Sequence, residues 1–244
     1  MRPLAPEALL GIWEAGLSQH PLDRALTVLA AVFPDQSRAT LAALSIGQRD
    51  AHLLALYETM FGPQIAAQAR CPACHHALEF TLNAADLHLV PMIDMPDETF
   101  TVEHEAYRLT VRLPNSFDLA ALLHTSTLDE ARHLLIRRCL VQATQDDAPI
   151  GALLLPESLT TLLAAGIAAH DPQAEIEFKL DCPVCGHGWP VLFDILSFLW
   201  RKIDAQARRL LHEVHSLAYA YGWHEADILG MSAPRRRFYL DMVA

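Results

Sequence analysis

Short motifs of the common catalytic and nucleotide-binding sites are missing from this sequence. It contains no GxSxG nucleophile turn, no phosphate-binding P-loop and no glycine-rich dinucleotide turn. The HEVH run carries His212 and His215, but a metalloprotease helix requires HExxH, so the second histidine stands one residue too early. The sequence therefore contains no recognisable catalytic motif, and we expect neither catalysis nor a small-molecule substrate.

Basic and aromatic residues are also scarce. The chain of 244 residues has 18 Lys and Arg against 29 Asp and Glu, a net charge of -11, and only 7% aromatic residues. Nucleic-acid binding depends on clustered cations and often on aromatic stacking, so this composition disfavours it. No charge-free apolar run reaches 18 residues, and no small-residue cleavage site follows the N-terminal segment. We therefore expect no membrane span, no signal peptide and a cytoplasmic protein.

What the chain does contain is enough apolar sequence for a folded core, at 52% of its residues. Alternating residues predict strands before and after each of two CPxC runs, and TFTVEHEAYRLTVRLP predicts a hairpin turning near Glu105. Apolar spacing and breakers predict helices at 5–18, 21–32, Ser45 to Gly62, 117–124, 128–145, 157–169 and Asp194 to Gly222, with two short ones after that. The predicted N-caps of three of these helices are Ser116, Thr127 and Asp194.

The cysteines form a pattern typical of a metal site. Four of the five stand in two CPxC runs, which are Cys71 with Cys74 and Cys182 with Cys185. A CPxC turn aims two thiolates at one point, and two such turns on neighbouring hairpins make a four-cysteine zinc ribbon. The closed shell leaves no position for water, so the Zn2+ would be structural. Cys139 stands alone on a predicted helix and is interpreted as a small buried residue.

The two cysteine pairs are more than a hundred residues apart, whereas ordinary ribbons separate them by about 15–20 residues. A split ribbon at 64–84 and 174–193 explains the gap, with an α+β insertion of a hairpin and helices at 85–173. Helical regions at 1–63 and 194–244 complete an α+β, mostly helical fold. Two alternatives stay open: unrelated CxxC turns or a single redox pair, and replacement of one ligand by a neighbouring histidine (His75, His76 or His187).

The C-terminal fifty residues are mildly basic within an acidic protein. The basic residues are Arg201, Lys202, Arg208, Arg209, Arg235, Arg236 and Arg237. One interpretation is a solvated helix face. The other is a docking surface for an acidic partner, helped by aromatic residues such as Trp200, Trp223, Phe238 and Tyr239, because Trp, Tyr and Arg are enriched at interface anchors.

Three runs near the C-terminus carry a family resemblance. They are LAYAYGW at 217–223, EADIL at 225–229 and SAPRRRFYL at 232–240, which follow one long helix. Together they resemble the tailed-phage baseplate-hub assembly chaperone family and its relatives in phage-like contractile injection systems. The resemblance implies a non-enzymatic part in building the baseplate or hub of a contractile tail. Members of the phage family are generally smaller and have no ribbon with such an insertion, so a transient chaperone and a particle component are both open.

The sequence therefore predicts an assembly protein that acts through a protein partner of a baseplate or hub. The residues expected to contact that partner are Tyr221, Trp223, Ile228, Leu229, Arg236 and Tyr239. The alternative is a zinc-ribbon module in transcription or nucleic-acid handling, against which the net charge argues. A third hypothesis, an enzyme with a structural zinc, has no catalytic residues to support it.

Overall fold

The computed structural model describes residues 3–89, 99–151 and 156–243. The fold is α+β and mostly helical, as the sequence predicts. The helices in the described residues are α1 Pro6–Gly16, α2 Pro21–Val32, α3 Arg38–Ala43, α4 Ile46–Phe61, α5 Ala84–Leu87, α6 Ser116–Leu122, α7 Leu128–Cys139, α8 Glu157–His170, α9 Ile195–Tyr221, α10 Glu225–Gly230 and α11 Ala233–Leu240. The strands are β1 Gln64–Arg70, β2 Ala77–Asn83, β3 Thr99–His104, β4 Tyr107–Arg112, β5 Leu140–Gln145, β6 Ala148–Pro149, β7 Glu177–Asp181 and β8 Gly188–Leu192.

The larger hydrophobic core is built by α1, α2, α4 and α9. Along α9 the buried residues recur every three or four positions, as at Leu199, Ile203, Ala207 and Leu210, so one stripe of the helix faces this core. Each fully buried Leu or Ile contributes about 1.5–3 kcal/mol relative to exposure, which makes the stripe the main reason for the position of α9. No described helix combines the length and the apolarity needed to cross a membrane.

Helix ends follow the local signals in the sequence. Ser45 caps α4 in a reciprocal box with Gln48, and the Asp194 carboxylate accepts a hydrogen bond from the Ser197 N–H at the start of α9. Gly222 ends α9 in the left-handed conformation at φ 70°. The boundaries predicted at these positions are confirmed.

Two separate antiparallel hairpins lie against the larger core. One is β1–β2 and the other is β7–β8, and each is only two strands wide. Ile65 of β1 and Phe193, just after β8, are buried in the core, while most other strand residues are half-buried or exposed. Phe80 and Phe178 contact each other edge to face with ring centroids 6.0 Å apart, which joins the two hairpins.

A second, smaller core lies in the chain between the hairpins. The four-stranded sheet β3-β4-β5-β6 covers it on one side, and α7 and α8 on the other, with Leu109 and Leu163 fully buried. Beside it the Asp118 carboxylate is fully buried and accepts hydrogen bonds from Arg112 at 2.6 and 2.8 Å and from Arg138 at 2.8 Å. Although burial raises the pKa of Asp118, hydrogen bonds from Arg112, Asn115 and Arg138 lower it below its ordinary value.

The prediction of one helix over 128–145 is wrong beyond Cys139. Leu140–Gln145 is strand β5, which pairs with β4 so that Ala143 lies opposite Leu109. Ile136, Cys139 and Ala143 are all buried and follow a helical spacing, which misled the sequence interpretation. Tertiary pairing with β4 overrides that pattern. The N-cap of α6 is Asn115, not Ser116, which is the first helical residue.

The two cores meet where α4 begins. The Gly47 N–H donates to the Asp171 carboxylate at 2.9 Å, and the Ile46 N–H donates to the Pro114 carbonyl at 3.0 Å. Burial raises the pKa of Asp171, although the Gly47 N–H, Ser45 and Arg49 lower it. Asp171, which directly follows α8 of the smaller core, thus accepts a hydrogen bond from a first-turn N–H of α4, which has no partner within its own helix. This hydrogen bond links the two cores directly.

Candidate metal centre

The two hairpins end in turns with the same hydrogen bonds. In the first turn the Cys71 N–H donates to the His76 carbonyl at 2.9 Å, and in the second the Cys182 N–H donates to the His187 carbonyl at 2.9 Å. Each turn closes a further bond of 2.9 Å, from His75 to Cys71 and from Gly186 to Cys182. The shared CPxC sequence therefore folds the same way twice, although the two turns are far apart along the chain.

The residue after the second cysteine of each turn adopts the left-handed backbone conformation. Gly186 has φ 71°, as the sequence predicts, and His75 occupies the equivalent position with φ 60°. Glycine enters this region without a steric cost, whereas a side chain costs about 1–2 kcal/mol. The sequence gives no sign that His75 is strained, because only the fold shows its equivalence to Gly186.

The turns bring all four paired cysteines together. The Sγ atoms of Cys71 and Cys185 are 3.7 Å apart and those of Cys74 and Cys182 are 3.6 Å apart. All four Sγ atoms lie within 4.8 Å of one another, and the set could hold a metal ion. One cysteine of each turn is buried and the other is exposed.

Nearby candidates do not join this cluster. His75, His76 and His187 flank the turns but belong to no ligand group in the described chain, and the same holds for His212 and His215 on α9. Cys139 is buried in the smaller core, where burial raises its pKa to about 12. The metal-binding potential of the described residues is thus concentrated in the two CPxC turns.

The clustered thiols perturb one another's protonation. A hydrogen bond from the His76 backbone lowers the pKa of Cys74, but local desolvation and the hydrogen bonds with the neighbouring thiols raise it to about 12. For Cys182, burial raises the pKa, but the N–H groups of Cys185 and Val184 and the adjacent thiols lower it to about 7. Four clustered thiolates would repel one another, and a bound cation would offset that repulsion.

The C-terminal helices carry an aromatic cluster. The rings of Tyr221 and Trp223 stack with centroids 4.5 Å apart, and Tyr239 meets Trp223 edge to face at 4.9 Å. Tyr221 is exposed, while Trp223 and Tyr239 are half-buried. These three of the six residues predicted to contact a partner therefore have surface available for contact.

The other three are buried. Ile228 is fully buried, and Leu229 is 7% exposed and packs in the larger hydrophobic core. Arg236 is 3% exposed and donates to Glu213 of α9 at 3.0 Å, which holds α11 against α9. In this conformation these three side chains expose little surface of their own.

Two further aromatic residues in the same region are exposed: Tyr219, which the sequence interpretation did not name, and Phe238, which it named only as part of the basic docking surface. Tyr219 is 88% exposed and Phe238 is 64% exposed. Tyr219 falls two positions from the buried Leu217, so it lies off the apolar stripe of α9, and a helical projection of the sequence would have identified it.

Comparison with known proteins places most of the chain in one family. A family model described as "T4 bacteriophage base plate protein" matches residues 21–200, about three quarters of the chain. The matched segment contains both CPxC turns and ends within α9, so the C-terminal runs at 217–240 lie beyond it. Neither the curated proteins nor the solved structures yield a match.

Proposed function

Because the chain belongs to the family of the T4 bacteriophage base plate protein, we propose that it helps to build the base plate or hub of a contractile tail. The observation that carries this proposal is the match over residues 21–200. We propose that the protein acts by protein–protein contact and catalyses no reaction.

We further propose that the four cysteines hold one structural Zn2+ in a split ribbon. Tetrahedral zinc with Zn–S bonds of about 2.3 Å places its sulfurs about 3.8 Å apart. The distances of 3.6 and 3.7 Å across the turns already match this, and the remaining pairs, all within 4.8 Å, need only a small contraction. Four thiolates fill the coordination shell, so the zinc would stabilise the fold and bind no water for catalysis.

A metal link here would close a long loop. Cys71 and Cys185 are 114 positions apart, and the smaller core lies between them. Cross-linking a loop of this length removes about 4–5 kcal/mol of unfolded-chain entropy in the simple chain model. In the domain division predicted from the sequence, the metal would hold the two ends of the 85–173 insertion close together, near the start of α9.

Metal analysis of the natively purified chain tests the zinc proposal. We expect about one zinc per chain, with Cys74→Ser and Cys185→Ser each losing it, because three thiolates bind far more weakly than four. Cys139→Ala is the matched control and should keep the zinc even if it lowers stability. A chain that holds no metal would refute the site, and visible thiolate-to-iron absorption would assign it to iron instead.

For the partner surface, we propose that Tyr221, Trp223 and Tyr239 make the contact, while Ile228, Leu229 and Arg236 hold them in place. Tyr and Trp side chains at least partly open to solvent supply large contact areas at low entropic cost, which supports this assignment. Tyr221→Ala should weaken partner capture without unfolding the chain.

Pull-down with the protein products of neighbouring genes tests the function. We expect recovery of a hub, spike or wedge protein of the tail. Mass spectrometry of purified mature particles then separates a lasting component, which stays in the particle, from a transient assembly factor, which does not. Recovery of nucleic acid or a polymerase instead would favour the transcription alternative over base plate assembly.

A further inference from the structure

An open groove runs between α9 and α11 near the C-terminus. Its volume is about 470 Å³, and its walls include Gln206, Arg209 and Glu213 on α9 and Pro234, Arg237 and Phe238 on α11. The three α9 residues are spaced at three and four positions, so they form one side of the helix. The residues that line the groove belong to α9, to α11 and to Asp241 directly after it.

The groove offers an apolar contact to a partner. Phe238 is 64% exposed although it belongs to a helix whose neighbouring Arg236 is buried. Pro234 and Ala233 continue the apolar surface along α11. Burying an exposed phenyl ring removes a large apolar area from water, so Phe238 has the character of an interface anchor.

The charges around the groove are unbalanced. Both carboxylate oxygens of Glu213 are occupied, one by Arg209 and one by Arg236, each at 3.0 Å. Two guanidinium groups thus share one carboxylate. Arg237, beside Phe238, forms no ion pair with any described residue, and Asp241 adds a single negative charge to the wall.

This excess of positive charge contrasts with the rest of the molecule. Residues 195–243 hold seven Arg and Lys and five Asp and Glu, whereas the whole chain has a net charge of -11. A nucleic acid would meet this patch but would be repelled by the acidic remainder, and it would not use an apolar wall. A short acidic segment with apolar residues would complement both the positive charge of the groove and the exposed Phe238 ring.

We propose that the groove between α9 and α11 binds an acidic, amphipathic helix of a partner protein, with an apolar side chain against Phe238 and carboxylates on Arg209 and Arg237. This inference rests on the proposed function, because it names the chemistry of the partner that the base plate protein would engage. The aromatic cluster of Tyr221, Trp223 and Tyr239 is a separate feature and does not line the groove.

Binding of a synthetic probe tests the groove directly. The probe is a fluorescein-labelled amphipathic helix with leucine on one face and glutamate on the other, and its partner peptide carries lysine at every glutamate position. We expect the full chain to bind the glutamate peptide at least about tenfold more tightly, with the difference shrinking as salt is added. Arg237→Glu and Phe238→Ser should each weaken glutamate-peptide binding about five- to tenfold.

The matched control is Arg137→Glu, which reverses the same charge at an exposed arginine of α7 and should leave binding unchanged. Circular dichroism establishes that each variant is folded. Equal affinity for both peptides, or equal loss in all three variants, would overturn the proposal. Concentration-dependent self-association that Phe238→Ser abolishes would also overturn it by making a second copy the occupant.

Failure of the groove is distinguishable from failure of the base plate function. If Arg237→Glu and Phe238→Ser chains still capture the hub, spike or wedge protein as the wild type does, the groove proposal is wrong and the function stands. If the wild-type chain captures none of these proteins, the function fails whatever the peptides show.

Discussion

Replacing Gly47 with alanine should break the contact between the two hydrophobic cores. Gly47 is the second residue of α4, and its N–H donates to the buried Asp171 carboxylate at 2.9 Å. A Cβ atom at this position would overlap the Asp171 carboxylate and would lie 3.0 Å from the backbone nitrogen of Ala174. The carboxylate must therefore move, and because it is 3% exposed it has no solvent to move into.

The expected cost follows from three effects. Losing a hydrogen bond to a buried charged group costs about 1.5–3 kcal/mol. Forcing packed groups apart costs about 1–3 kcal/mol. Alanine recovers up to about 1 kcal/mol, because it loses less backbone entropy in a helix than glycine does. The net expectation is a loss of about 2–5 kcal/mol in the free energy of unfolding.

Urea denaturation followed by circular dichroism and tryptophan fluorescence measures this loss. The matched control is Gly11→Ala, the same change inside α1, where nothing lies within 4 Å of the added Cβ. That variant should gain about 0.5–1 kcal/mol, so the two substitutions are expected to have opposite signs.

A double-mutant cycle decides the mechanism. Asp171→Ala removes the group that the new Cβ would strike, so Gly47→Ala should cost much less in that background. Additive costs, or a stabilising effect of Gly47→Ala in the wild-type background, would refute the clash between these two residues.

Three further predictions concern the CPxC turns and the smaller core. Gly186 and His75 both have positive φ, which glycine adopts without a steric cost. Gly186→Ala should therefore lower the free energy of unfolding of the metal-free chain by about 1 kcal/mol, and His75→Gly should raise it by a similar amount. Thermal unfolding measures both changes. Asp118→Asn should cost about 1.5–3 kcal/mol at neutral pH by urea denaturation, because it weakens the hydrogen bonds to a buried charged group. The pKa of Asp118 is lower in the folded chain than its ordinary value of 3.8. The ionised carboxylate therefore adds to the free energy of unfolding above pH 3.8, and this stabilisation is lost as the pH falls through the folded-state pKa. The Asp118→Asn chain lacks this group, so its stability should depend less on pH in acid. In metal-free chain treated with a mild disulfide oxidant, peptide mapping should find a Cys74–Cys182 link, since these Sγ atoms are 3.6 Å apart; links confined to one turn would contradict the geometry.

Elements whose signals are local could be predicted from the sequence. Ser45, Asp194 and Gly222 act on the backbone within a few residues of themselves, so the limits of α4 and α9 follow from the chain alone. The hairpins around the CPxC turns are equally local, because alternation and turn residues are both present in the sequence.

The strand β5 could not be predicted in the same way. Its residues continue the helical spacing of α7, and only pairing with β4 selects the extended conformation after Cys139. The burial of Ile228 and Arg236 could not be predicted either, because it depends on how α10 and α11 pack against the rest of the chain. Aromatic, apolar and arginine residues are typical both of interfaces and of supporting contacts, and their composition does not distinguish the two.

By itself, the sequence determined the limits of α4 and α9, the hairpins around the CPxC turns, the identity of the four paired cysteines and the acidic character of the chain, because these depend on residue type and near neighbours. Only the tertiary structure decided that Cys71 and Cys74 meet Cys182 and Cys185, and which C-terminal side chains face solvent. Such contacts join residues far apart along the chain, and they exist only after both hydrophobic cores have brought those segments together.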